Sequence, residues 1–172
     1  MVKFGILSDT HISEDEDPIK VNKLLDRLKK VFHDVDEIIH AGDVCVDFFL
    51  NELNMLKPTK CVSGNMDKII NLKKFLTFNI SQYKIGVIHE LPNDLEKFTR
   101  ENGLHILIFG HTHQPLIKGT LYNVLILNPG SPSKPKAPPK IIGFKEPIAR
   151  KTVLTLDINE KNEMITTYII NL

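Results

Sequence analysis

The chain has 172 residues, 42% of them hydrophobic and 25% charged, the make-up of an ordinary globular protein. A chain this long buries roughly 70% of its unfolded surface, so one domain over residues 1–172 is expected and any metal would be functional, not a structural staple. Lys and Arg total 22 against 21 Asp and Glu, a net charge of +1, which argues against a global field for gripping nucleic acid or an anionic membrane.

Cys45 and Cys61 form no CxxC pair and sit in apolar stretches, as expected of buried thiols in a reducing, cytoplasmic setting. Val2 to Ser8 reads as a first strand, too short an apolar run for a signal peptide. Asp17-Pro18 then supplies an N-cap and a first-turn proline, and Val21, Leu24, Leu25, Leu28, Val31 and Phe32 recur at the spacing of an apolar helix face. Glu37 to His40 reads as a second strand, Phe48 to Leu56 as a short helix and Lys60 to Ser63 as a third strand. Beyond Phe75 come Lys84 to Ile88, a helix near Asn93 to Asn102, and the buried-strand runs Ile106 to Phe109 and Asn123 to Leu127. Pro129 to Pro147 is a proline-rich, lysine-studded loop, and Thr152 to Asp157 with Met164 to Ile170 form a hairpin around Asn159 to Asn162. No run approaches the roughly 20 apolar residues of a membrane span. Strand and helix alternate as in βαβ units with a parallel sheet.

Open α/β sheets bind ligands at the carboxyl ends of their strands, and the chemically unusual residues fall there. Asp9 and His11 follow the first strand, Asp43 the second, Asn65 and Asp67 the third, His89 the run ending at Ile88, and His111 and His113 the run ending at Phe109. Asp9-Thr-His11 and His111-Thr-His113 place donors at i and i+2, which an extended or turning backbone aims into one site while a helix cannot. Mixed carboxylate, amide and imidazole donors suit divalent metals such as Mn²⁺, Fe²⁺, Ni²⁺ or Zn²⁺. Gly42 and Gly110 let the backbone turn and approach closely beside Asp43 and His111.

These segments, with Gly64-Asn65-Met66-Asp67 and Asn128-Pro-Gly-Ser131, resemble the calcineurin-like metallophosphoesterases, and among them the small single-domain bacterial and archaeal phosphodiesterases. The resemblance implies a four-layer αββα sandwich of two mixed β-sheets. It also implies two divalent ions, one held by Asp9, His11 and His113, the other by Asn65, His89 and His111, with Asp43 bridging. A hydroxide shared between them would attack a small phosphodiester, so no side-chain base is needed.

The sequence departs from that pattern twice. Met66 stands where many relatives carry a histidine able to protonate the leaving group, and Asp67 is the nearest substitute donor, unless it is a carboxylate that braces the loop amides. Glu90-Leu91 follows His89 where close relatives read Gly-His. His40 is expected as a partner behind the ligands or in the core, Cys45 as a small buried hydrophobe, and His33 and His105 as surface or packing residues. Ser131, Lys134, Lys136 and Arg150 are candidates for steering phosphate from the proline-rich loop. The principal expectation is therefore a binuclear phosphodiesterase with a small phosphoester substrate and no nucleic-acid or membrane partner. A protein-binding scaffold like the retromer subunit of this fold and a nuclease are the alternatives. The oligomeric state stays open, a homodimer among the options.

Overall fold

A computed structural model describes all 172 residues, with ten strands and three helices. The first sheet has the order β10-β9-β1-β2-β3, built from β1 (Val2–Leu7), β2 (Glu37–His40), β3 (Thr59–Cys61), β9 (Thr152–Asn159) and β10 (Met164–Asn171). The second has the order β4-β5-β6-β8-β7, from β4 (Phe75–Ile80), β5 (Tyr83–Ile88), β6 (Ile106–Ile108), β7 (Pro115–Gly119) and β8 (Leu125–Pro129). β1, β2 and β3 run parallel, as do β5, β6 and β8, while β9, β10, β4 and β7 are antiparallel to their neighbours. Both sheets are mixed.

The period of two along the strands sorts side chains into layers. Phe4, Ile6, Ile39, Ile85, Val87, Ile106, Ile108, Leu127, Leu154 and Leu156 meet between the sheets. Leu7, Ile38 and Val153 point the other way, onto α1 (Pro18–Val31) and α2 (Asp47–Leu56), which bury Val21, Leu24, Leu28, Phe49 and Leu53 against them. Leu107, Val124 and Ile126 form a smaller outer core beneath α3 (Leu95–Glu101), where Leu95 and Phe98 pack. The order is thus helices, sheet, sheet, helix, the expected αββα sandwich. Each fully buried Leu, Ile or Phe contributes roughly 1.5–3 kcal/mol.

Local signals account for the helix that matters most below. The Asp17 carboxylate accepts the Ile19 amide at 2.9 Å, and Pro18 opens α1 where a missing N–H costs nothing. Two strands, β4 and β7, were not expected. Both are edge strands and neither is an unbroken apolar run.

Candidate metal centre

The carboxyl ends of β1, β2 and β3 in one sheet face those of β5 and β6 in the other, and all seven expected ligands gather in the seam. His113 Nε2 lies 3.4 Å from Asp9 Oδ1 and 3.2 Å from His11 Nε2, and His11 Nε2 lies 3.8 Å from Asp9 Oδ1. On the other side, Asn65 Oδ1 is 3.0 Å from His89 Nε2 and 3.1 Å from His111 Nδ1. Asp43 Oδ2 stands between the two groups, 3.5 Å from His11 Nε2 and 3.4 Å from His89 Nε2.

These spacings fit a metal. Ligand atoms about 2.1 Å from one ion lie roughly 3.0 Å apart in cis-octahedral and roughly 3.4 Å apart in tetrahedral geometry. Asp9 Oδ1 is also buried without any hydrogen-bond partner, a costly arrangement for a carboxylate oxygen unless a cation satisfies it. The imidazole tautomers agree. His89 Nδ1–H donates to Ala41 O at 2.8 Å and His113 Nδ1–H donates to Lys134 O at 2.5 Å, so each ring turns a bare Nε2 lone pair to the centre. His11 Nε2, 3.2 Å from the bare Nε2 of His113, is placed to share an ion with it.

The backbone is bent to make this possible. Asp9, His11, Asp43, His111 and His113 all adopt positive φ, between 44° and 67°, at roughly 1–2 kcal/mol apiece for L-residues. Gly42, at φ 92°, lets His89 approach so closely that a Cβ would sit 2.6 Å from its Nδ1. At Gly64 a Cβ would collide with Asp43 Oδ1, an approach no sequence signal singled out beyond its place in the motif.

Burial and charge set the protonation of the metal-free centre. Burial pushes the Asp9 carboxyl up, against the Ser8 hydrogen bond and the nearby imidazoles. Burial acts the same way on Asp43, but hydrogen bonds from His89 and the Met66 amide win and hold it below the usual carboxylate range. Burial lowers His11, with the His113 and Lys134 charges adding to the effect against Asp43 and Asp9. For His89, burial opposes the charged form, but the Asp43 contact outweighs it and raises the imidazole. A bound dication would displace such protons outright.

Asp67 does not face this centre as a proton donor would. Its Oδ2 accepts the amides of Asp43 at 2.9 Å and Gly64 at 2.7 Å, and its Oδ1 accepts the Cys45 amide at 2.6 Å. Its contacts are those of the loop-bracing carboxylate. Glu90 lies 3.8 Å from the outer nitrogen of His111, whose Nδ1 faces Asn65. Leu91 packs into the outer core beside Phe75 and Ile88. His40 is fully buried and donates to or accepts from Thr10 Oγ1 at 3.1 Å, behind the ligands. Burial pushes the Cys45 thiol up to about 11, so it stays a neutral neighbour of His11, 3.8 Å from its Nδ1. His33 is exposed, and His105 accepts the Lys84 amide on the surface.

Ser131 is no phosphate contact. It is buried and donates to Asp9 O at 2.7 Å, while Ser133 donates to Thr10 O at 2.5 Å and Asn128 Nδ2 donates to Gly110 O at 2.8 Å. The segment after β8 thus clamps both ligand turns, a role only hinted at by the Asn128-Pro-Gly-Ser131 motif. Of the lysines expected near phosphate, Lys134 lies beside His11 and Lys136 hydrogen-bonds His113 O through its backbone amide at 3.2 Å.

Fold and donor set together define a metal-binding αββα protein. The calcineurin-like phosphoesterase superfamily domain matches residues 2–161, and the chain belongs to that superfamily. A probable metallophosphoesterase of Methanothermobacter thermautotrophicus is 37% identical over 140 residues, 77% of this chain and 78% of that protein. Another, from Methanocaldococcus jannaschii, is 38% identical over 145 residues, 80% of this chain and 72% of that one. Among solved structures, a predicted phosphoesterase of Streptococcus pneumoniae superposes with a TM-score of 0.68 at 20% identity, covering 99% of this chain and 98% of that one. Vps29 of Entamoeba histolytica, in complex with Zn²⁺, superposes with a TM-score of 0.72 at 22% identity, covering 99% of each chain. No helix is long and apolar enough to cross a membrane.

Proposed function

We propose that the chain is a phosphodiesterase that hydrolyses small phosphodiesters at a binuclear centre. One ion would sit on Asp9, His11 and His113, the other on Asn65, His89 and His111, with Asp43 shared; Mn²⁺ leads the candidates, ahead of Ni²⁺, Fe²⁺ and Zn²⁺. The observation that carries this reading is Asp43 Oδ2, nearly equidistant at 3.5 and 3.4 Å from an imidazole of each group. When bound, such a pair supplies an activated water at neutral pH and positive charge against the phosphoryl oxygens. The chain's own part is to hold those ligands rigidly from both sheets, and to limit anionic donors to two carboxylates so that an anionic ester is still attracted. Met66 is exposed and carries no proton to give, and Asp67 is committed to loop amides, so neither assists the leaving group. Acid assistance contributes about 10²–10⁴-fold, so esters with good leaving groups should be favoured.

The test is turnover of bis-p-nitrophenyl phosphate and p-nitrophenyl phosphate after chelation and add-back of Mn²⁺ or Ni²⁺. Diester hydrolysis that returns with metal and vanishes in His113→Ala supports the reading; no turnover above that variant sinks it. A scaffold role is the second reading, favoured by the backbone shared with Vps29 and by Ile142 and Phe144, exposed in the loop before β9. A stoichiometric partner retained after chelation, with no diester turnover, would put that reading first.

A further inference from the structure

Next to the metal centre the surface sinks into a cleft of about 710 Å³ that shares Thr10, His11, Ser133 and Lys134 with it. That volume lies in the range of small-molecule sites, about 300–1,000 Å³. Its far wall is α1. Lys20, Lys23, Arg27 and Lys30 line the cleft at i, i+3, i+7 and i+10, one helical face roughly 15 Å long at about 1.5 Å per residue. Lys134 and Lys151 complete the cationic lining, against Glu16 and Asp26 alone, so six positive and two negative side chains leave a local net of +4. The whole chain carries only +1, so the charge is segregated here. Of the six, Lys20 alone has an ion-pair partner, Glu16 at 3.8 Å.

A solvated helix face usually interleaves its charges. Here Lys20, Lys23, Arg27 and Lys30 make three like-charged steps that repel, and Asp26, three residues after Lys23 and four before Lys30, offsets that only in part. Concave walls of one sign focus the field, and the repulsion is relieved when an anion enters. Lys134 links cleft and centre: its carbonyl orients His113 while its ammonium lines the cleft beside His11.

We propose that this cleft binds a second, non-reacting phosphate of the substrate, and so selects small esters that carry two or more phosphates. The proposal rests on the phosphoesterase reading above and deepens it. Lys23 and Arg27 at the middle of the stripe, with Lys134, make the contacts; for solvent-accessible charges such as these the set together is worth about tenfold in affinity.

The test compares two esters with the same reacting group, thymidine 5′-(p-nitrophenyl phosphate) and its 3′-phosphorylated form, on the metal-loaded protein. The expected result is a KM about tenfold lower for the 3′-phosphorylated ester, an advantage that shrinks with added salt and disappears in Lys23→Gln/Arg27→Gln. Lys97→Gln on α3, outside the cleft, keeps the advantage. Equal KM values in the wild type, or an advantage that survives the double variant, overturn the proposal. If neither ester is turned over, it is the phosphoesterase reading that has failed. Titration calorimetry of the metal-free protein with thymidine 3′,5′-bisphosphate then decides: binding weakened about tenfold by the double variant supports the cleft, and unchanged or absent binding overturns it. Short oligothymidylate competing at least tenfold better than the bisphosphate would also overturn it, in favour of nucleic acid.

Discussion

Asp67 and His40 show how much of a metal site lies one residue behind the ligands. The Asp67 carboxylate collects three amides, from Asp43, Gly64 and Cys45, and so ties the turn after β2 to the turn after β3. Asp67→Asn would present an NH₂ group to some of those N–H donors, leaving buried groups unpaired at about 1–3 kcal/mol. The expected outcome is a lower urea midpoint and weaker metal retention, with the alkaline limb of the pH-rate profile unchanged. Loss of that limb would instead restore Asp67 as the proton donor. His40 makes a prediction about pH. Burial, with the neighbouring His89 charge, pushes it down to about 3, and its Nδ1 has no partner. The unfolded chain takes up this proton from about pH 6.5 downward while the folded chain resists until about 3, so stability present above 6.5 is lost as pH falls through that window. At pH 5 the loss from this residue is about 2 kcal/mol, from about 1.36 kcal/mol per pKa unit. In metal-free protein, His40→Leu should therefore lose about 2 kcal/mol less than wild type between pH 7 and pH 5 by urea denaturation. Equal losses would show that His40 is protonated in the folded state.

At the scale of elements, the segment from Asn128 to Ser133 acts as a clasp. It joins the end of β8 to the ligand turns after β1 and β6 through Asp9 O, Thr10 O and Gly110 O. Ser131→Ala removes a buried donor and also the oxygen that accepts the Lys134 amide at 2.8 Å. We expect a stability loss of about 1–3 kcal/mol and metal affinity weakened about 10–100-fold, read by denaturation and by metal titration. A variant with unchanged metal affinity would reduce the clasp to a packing role. The central strands were legible in sequence because Phe4 to Leu7, Ile38 with Ile39, and Ile106–Ile108 are buried and read as short apolar runs. β4 and β7 were not, since each is interrupted by residues that do not read as strand and neither holds a fully buried residue. β4 mixes Thr77 and Asn79 among its apolar residues, and β7 begins at Pro115, a residue that sheets accept at the first position of an edge strand. The ligand residues were legible as motif; their positive φ values, the Gly64 approach and the Asp67 brace were not, because each depends on which chain segment arrives opposite.

Across the whole molecule, the candidate donor set would make a bound metal part of the fold. Asp9, His11, Asp43 and Asn65 follow strands of the first sheet, whereas His89, His111 and His113 follow strands of the second. Between the sheets lies a shared core, of Phe4, Ile6, Ile39, Ile85, Ile106 and Leu154 among others. An ion bound by donors from both sheets is lost when they separate, so its binding energy adds to the stability of the native state and of nothing less. At a free metal concentration about 100 times its dissociation constant, one site contributes about 2.7 kcal/mol. For a chain of this size about 1 kcal/mol moves the melting temperature by about 2–4 °C, so Mn²⁺ or Zn²⁺ added to chelated protein should raise it by roughly 5–10 °C if one ion binds and roughly 10–20 °C if two do. His113→Ala and His89→Ala each cut one group of donors, and each should retain a smaller rise with fewer ions per chain by elemental analysis. A wild type that melts at the same temperature with and without metal would contradict a centre spanning the two sheets. A full rise in the double variant His89→Ala/His113→Ala would place the ion elsewhere.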